Sequence, residues 1–242
     1  MALALASCGT SKKATLSDLK GEWDVVEISG NKVNGDAPFI GFDLNESRIY
    51  GFAGCNNFFG GLDKNAAPGT ISLGALGMTQ MMCPNMDNET KFTAALGKTT
   101  GYKLDGKETL KLTDAEGNTT VALVKRGGKM SAKDLQGEWR ILSVDRFKSE
   151  GLEAVPTIWF DTQEGLVHGS AGCNNFNGSY TTGDKQALTF SPLAATRKMC
   201  QNMQFEDKLF KAFDNVASFG TMADGRVGLF DENGKMLIEL AR

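Results

Sequence analysis

The sequence predicts an α+β fold made of two tandem copies of one module, each a curved antiparallel β-sheet or partial barrel with a single α-helix packed on it. Three observations predict it. Blocks of residues return in the same order at nearly one offset. Short apolar segments rich in Val, Ile, Phe and Thr are broken by Gly, Asn and Asp, the habit of short strands joined by turns. One stretch in each copy departs from that habit and carries its apolar residues at helical spacing.

The repeat is plain at three places. Asp18-Leu-Lys-Gly-Glu-Trp23 returns as Asp134-Leu-Gln-Gly-Glu-Trp139. Ala53-Gly-Cys-Asn-Asn-Phe58 returns as Ala171-Gly-Cys-Asn-Asn-Phe176, and Leu76-Gly-Met-Thr-Gln-Met-Met-Cys83 as Leu193-Ala-Ala-Thr-Arg-Lys-Met-Cys200. The offsets are 116, 118 and 117 residues, so only small loop insertions separate the copies. The 242 residues then divide into a leader and tether at 1–15, a first domain at 16–126, a glycine-rich linker at 127–131 and a second domain at 132–242.

Within the first copy, residues 22–28 read as a strand, and 40–44 with 48–52 as a hairpin turned by Asn45-Glu46-Ser47. Residues 157–160 and 166–169 fill the same places in the second. The Gly-Cys-Asn-Asn loop follows, then a short strand, then another near 71–73 or 187–190. A helix comes after each second cysteine. Phe92, Ala95 and Leu96 form its apolar face in the first copy; Phe205, Leu209, Ala212, Phe213 and Val216 do so in the second. Asn85 and Asn202 are expected to cap these helices. Strands at 102–104, 109–112 and 121–124 finish the first copy, and strands at 218–219, 226–230 and 236–240 finish the second. Trp23, Trp139 and Trp159 are expected in the core, with exposure in a binding surface as the alternative for Trp159. So are Met78, Met81, Met82 and Met86, with an adaptable contact surface as their alternative role.

Hydrophobic residues make up 41% and charged residues 23%, a soluble globular balance rather than a disordered one. The net charge of -3 offers no concentrated basic surface, so nucleic acid is not an expected partner. No apolar run approaches the roughly 18 residues that span a bilayer.

The chain opens with an address. Leu5-Ala6-Ser7-Cys8 matches the lipobox at which a bacterial lipoprotein is cleaved and lipidated, and Gly9-Thr10-Ser11-Lys12-Lys13-Ala14 follows as a polar tether. The leader is short for that pattern: seven residues precede Cys8, none of them Lys or Arg. A lipid anchor at Cys8 makes the membrane a partner. It places the chain at the cell envelope, on the periplasmic face of the outer membrane rather than at the surface.

Gly54-Cys55-Asn56-Asn57-Phe58, followed by Met78-Thr79-Gln80-Met81-Met82-Cys83, resembles the META domain, also called the HslJ-like domain. The second copy carries Gly172-Cys173-Asn174-Asn175-Phe176 and Thr196-Arg197-Lys198-Met199-Cys200. The resemblance covers nearly the whole chain, twice. It implies a small β-rich module with a helix, found in envelope lipoproteins and linked to heat shock, drug resistance and secretion, with no established catalytic activity and so no catalytic residues to carry over. The second copy departs from the motif at Leu193-Ala194-Ala195 and Lys198.

Cys8 apart, two cysteines stand at matching places in each copy. Pairing Cys55 with Cys83 and Cys173 with Cys200 is the simplest of three arrangements, and an envelope location permits it. Buried free thiols are the alternative. Each bridge would restrict the unfolded chain by about 3.6 kcal/mol on the entropy model. Zinc is not expected, since there is no C-x-x-C and His168 is the single histidine. His168 reads as a strand or surface residue. No base stands ready to activate a thiol in the first copy, and there is no nucleotide fingerprint. No catalytic residue, metal or cofactor is therefore expected.

Asn56, Asn57, Asn174 and Asn175 are either residues of a tight loop or a polar binding loop at the sheet edge, and are the candidate binding residues. The expected protein is a monomeric, non-enzymatic envelope lipoprotein in stress tolerance or protein-protein contact, with an envelope protein as partner. The alternative is a small-ligand or inhibitor module that uses an apolar groove beside the helix.

Overall fold

The computed structural model describes residues 14–35, 37–200 and 203–242. Cys8, most of its tether and Asn202 lie outside the described residues. The first half opens with a 3-10 turn, Leu16–Leu19, in which the Thr15 amide donates to the Asp18 carboxylate at 2.8 Å. Its strands are β1 (Gly21–Ile28), β2 (Asn31–Lys32), β3 (Phe39–Asp43), β4 (Arg48–Phe52), β5 (Asn57–Gly61) and β6 (Gly77–Met78). Helix α1 (Asp87–Gly97) precedes β7 (Gly101–Asp105), β8 (Thr109–Thr113) and β9 (Thr119–Lys125).

The second half repeats the order. A turn at Ala132–Leu135 leads to β10 (Gly137–Val144), β11 (Phe147–Lys148), β12 (Thr157–Asp161), β13 (Leu166–Ser170) and β14 (Asn175–Gly183). Then come β15 (Ala187–Phe190), β16 (Ala194–Ala195), α2 (Met203–Phe213), β17 (Ser218–Thr221), β18 (Val227–Phe230) and β19 (Met236–Ala241). The two-residue strands are too short for a period-2 pattern, which is why the sequence does not announce them.

Each half closes on itself. In the second, β10-β12-β13-β14-β15-β17-β18-β19 returns to β10 as an antiparallel barrel. In the first, β5-β4-β3-β1-β9-β8-β7 forms the same arc, and two isolated bridges, Leu62 with Leu73 and Thr70 with Gly101, span the remaining gap. The expected strand at 71–73 is thus reduced to single bridges. Pro68 has no N–H to give, and Gly69 and Gly74 flank the stretch. A register shift between Val25 and Glu27 in β1 recurs between Ile141 and Ser143 in β10, so the same bulge bends both opening strands.

Two separate apolar cores result, one around Trp23, Phe42, Phe58 and Phe92, the other around Trp139, Phe160, Phe176 and Phe205. The Trp23 and Trp139 indoles donate to the Leu19 and Leu135 carbonyls, each at 2.7 Å, and fasten the opening turn over the core. Helices α1 and α2 pack on the opening strands with Phe92, Ala95 and Leu96, and with Phe205, Leu209, Ala212 and Phe213. Met86, not Asn85, occupies the α1 cap position. Asn85 instead accepts the Asp87 amide two residues on, at 2.9 Å, and this local turn delays the helix by one residue. Val216 lies past the end of α2, buried in the turn before β17.

Two apolar expectations are corrected. Met81 and Met82 are exposed, and Met78 and Met86 only half-buried, because the segment before Cys83 runs outside the barrel. Trp159 is exposed as well. Ile158 and Phe160 point into the barrel, so the strand's period sends Trp159 outward, where it stacks on His168 at 6.0 Å.

The halves are docked. The linker amides of Gly127 and Gly128 both donate to the Thr221 carbonyl, at 3.1 and 2.8 Å, and Gln186 Nε2 donates to the Gly128 carbonyl at 3.0 Å. Gly220 lies against the linker so closely that a Cβ there would stand 2.6 Å from the Gly127 backbone. Above this seam, the Ala223 amide donates to Asp24 at 3.3 Å, and the Arg146 guanidinium sits 5.7 Å from the Phe39 ring and 5.2 Å from that of Tyr50.

Candidate functional site

The repeated asparagines build a clamp inside each half. The Asn56 amide donates to Glu89 Oε2 at 2.6 Å, and its Nδ2 donates to Glu89 Oε1 at 2.9 Å and to the Met81 carbonyl at 3.0 Å. Its Oδ1 accepts from the Thr79 hydroxyl at 2.8 Å and the Met81 amide at 2.6 Å. Asn174 does the same with Glu206 at 3.0 and 2.7 Å, the Lys198 backbone at 3.1 and 2.7 Å and the Thr196 hydroxyl at 2.7 Å. Asn56, Asn174, Glu89 and Glu206 are all buried. Each clamp ties the loop, the pre-helical segment and the helix together, and spends the asparagine side chain in doing so. Asn57 and Asn175 are exposed and offer their amides to Thr79 and Thr196 at 3.1 and 3.2 Å.

Sequence reasoning missed Glu89, Glu206, Thr79 and Thr196. The signal was available: both pairs recur at an offset of 117, and each glutamate sits in the first turn of its helix. There a carboxylate also faces the positive end of the helix dipole.

The disulfides Cys55–Cys83 and Cys173–Cys200 join the same loop to the same segment, with Cα separations of 5.9 and 6.2 Å. Cys55 is buried and Cys83 half-buried, whereas Cys173 is half-buried and Cys200 exposed. Reduction needs access to sulfur. In a titration with a phosphine reductant, followed by alkylation and peptide mass spectrometry, Cys173–Cys200 should open first. Equal or reversed order would contradict this placement.

The outer face of β1, β3 and β4 is charged and covered. Arg126 reaches Glu22 at 2.8 Å and Asp24 at 2.6 Å, and the Tyr50 hydroxyl donates to Glu22 at 3.1 Å. Burial pushes the Glu22 carboxyl above its ordinary value, with Arg126 and Tyr50 pulling the other way. Burial also works against the Arg126 charge, but Asp24 and Glu22 outweigh it and raise the guanidinium. The matching face of β10, β12 and β13 is open: Glu138, Arg140, Trp159 and His168 are exposed at the positions of Glu22, Asp24, Gly41 and Tyr50.

Beside α2 runs a groove of about 580 Å³ between residues 192–197 and the helix. Leu193, Ala195, Phe210 and Phe213 line it, with Arg197 and Asp214 at its rim. Among the described residues, no group of three or more His, Cys, Asp or Glu side chains is placed to hold a metal ion. No helix of the described residues is long and apolar enough to cross a membrane.

A family model described as META domain matches residues 14–127 and again residues 133–242. The chain is similar to an NMR structure of a protein from Burkholderia xenovorans, at 24% identity over 46% of this chain and 85% of that one, with a TM-score of 0.38. A second NMR structure shares 22% identity over 46% of this chain and 94% of its own, with a TM-score of 0.38. A crystal structure of a DUF4847 family protein from Bacteroides vulgatus shares 14% identity over 44% of this chain and 92% of its own, with a TM-score of 0.34. No curated protein matches the chain.

Proposed function

The chain belongs to the META domain family, in two tandem copies, and from that premise we propose that it is a non-enzymatic binding protein held at the bacterial cell envelope by a lipid on Cys8. Its role is contact with another envelope protein under stress. One observation carries this reading. The clamp residues Asn56 and Glu89, and Asn174 and Glu206, are consumed inside each half, while apolar groups are displayed outside. Met82 and Met199, one residue before the second cysteine of each copy, are both 95% exposed. Unbranched thioether side chains suit contact surfaces that must adapt to a partner. The groove beside α2 adds a place for an apolar group to enter.

The test is fractionation of a bacterial strain expressing the chain, with mass spectrometry of its N-terminal peptide and growth at raised temperature. The expected result is a lipid-modified Cys8 in the membrane fraction, and loss of both the membrane location and heat tolerance in Cys8→Ser. An unmodified Cys8 in the cytosol, with full heat tolerance in Cys8→Ser, would overturn the proposal.

A further inference from the structure

We propose that the groove beside α2 binds an extended peptide segment carrying one Met or Leu side chain and a neighbouring carboxylate. This names the partner chemistry of the binding role proposed above and rests on that reading.

The first half shows what the groove is shaped to take. Met78 and Ala195 hold one position in the two copies: Met78 pairs with Phe58 across β5–β6, and Ala195 with Phe176 across β14–β16. Met78 packs on the core of the first half. Ala195 ends at its methyl group and is exposed, so three heavy atoms of side chain are missing from that place. Thr93 of α1 becomes Phe210 of α2, which gives the vacated space an aromatic wall. An incoming Met or Leu side chain would lie where the sister copy puts its own.

The backbone favours a strand as the carrier. β16 pairs with β14 alone, and the groove separates it from α2. An edge strand bordered by an apolar groove is the setting for strand addition, in which main-chain bonds supply affinity and a side-chain pocket supplies selectivity. Helix α2 has 11 residues, a length of about 16 Å at 1.5 Å per residue. That matches roughly five residues of extended chain.

Charge sets the partner's polarity. Arg197 lines the groove and Lys198 follows it in the chain, where the first copy has Gln80 and Met81. Both cations are exposed. Arg197 precedes α2 in the chain and Asp214 follows it. Arg197 is the cation among the residues that line the groove, so a carboxylate on the peptide is drawn to it, while Asp214 repels one.

The experiment is selection from a displayed random heptapeptide library on the full chain carrying Cys8→Ser, followed by fluorescence polarisation with the winning peptides. The expected winners place Asp or Glu within two residues of Met or Leu. Their affinity should fall at least tenfold in Ala195→Met, which restores the sister copy's side chain. Arg197→Glu, an exposed change that leaves the fold alone, should reverse the preference from acidic to basic peptides. Winners that bind Ala195→Met equally well would overturn the proposal, as would winners without acidic residues. So would an empty selection with myristate binding the native chain and not Ala195→Met, because the groove would then serve a lipid. The soluble chain needs no anchor, so a failed selection leaves the envelope tether standing, and a cytosolic Cys8 leaves the groove's result standing.

Discussion

Asn56→Ala is expected to destabilise the first half by on the order of 3–5 kcal/mol. The substitution removes every side-chain bond of the clamp at once. Glu89 keeps a buried carboxylate with one donor fewer, and the Thr79 hydroxyl and Met81 amide lose their acceptor. A buried group left without its partner costs its full desolvation, which is why the effect exceeds that of an ordinary hydrogen bond. Asn56→Asp should be no milder. It keeps the shape but turns the donors facing Glu89 Oε1 and the Met81 carbonyl into acceptors. Asn57→Ala, one residue on and exposed, should stay within about 0.5 kcal/mol. Because the clamp recurs atom for atom, Asn174→Ala should match Asn56→Ala to within about 1 kcal/mol, the scatter that context brings to such substitutions. Calorimetry reads this as a fall of about 6–20 °C in the chain's single transition. A loss below about 1 kcal/mol would return the asparagines to the role of free loop residues.

Arg126→Ala should cost a similar amount, about 3–5 kcal/mol, by a different route. It strands Glu22 and Asp24, which are 2% and 8% exposed, without their shared cation. Asp24 also receives the Ala223 amide of the second half, so the loss falls on the seam between the halves. The two halves should then melt in separate transitions where the native chain melts in one. Arg126→Lys should fall between, since a point charge cannot serve two carboxylates with the guanidinium's fixed fork. Adding Glu22→Gln and Asp24→Asn to Arg126→Ala should recover more than half of the loss, because the buried charges go with their partner. An unchanged single transition in Arg126→Ala would show that the seam does not depend on this cluster.

Most of the architecture was legible because it is written twice. One copy of Gly-Cys-Asn-Asn-Phe is a short motif; two at one offset mark a tandem repeat and put two cysteines and a helix at matching places in each copy. What escaped has physical causes. Strands of two residues carry no period. The barrel of the first half closes through single bridges that no local pattern encodes. The clamp glutamate stands 33 residues from Asn56, and only the comparison of the copies could have linked them. The ion cluster of β1 joins Glu22 and Asp24 to Arg126 more than 100 residues on, a separation that no local pattern encodes. Trp159 has no tryptophan counterpart in the first copy, where Gly41 stands, so the repeat does not place it. Ile158 and Phe160 on either side already assigned it to the outer face.

The account stands on a module that closes its own barrel and its own disulfide, so the direct measurement is to make residues 14–127 and residues 132–242 as separate oxidised chains. NMR spectra and thermal unfolding then decide. Dispersed amide signals and one cooperative transition from each chain alone, each with a single intramolecular disulfide, are predicted. Two chains that stay unfolded apart and fold only when mixed would contradict it.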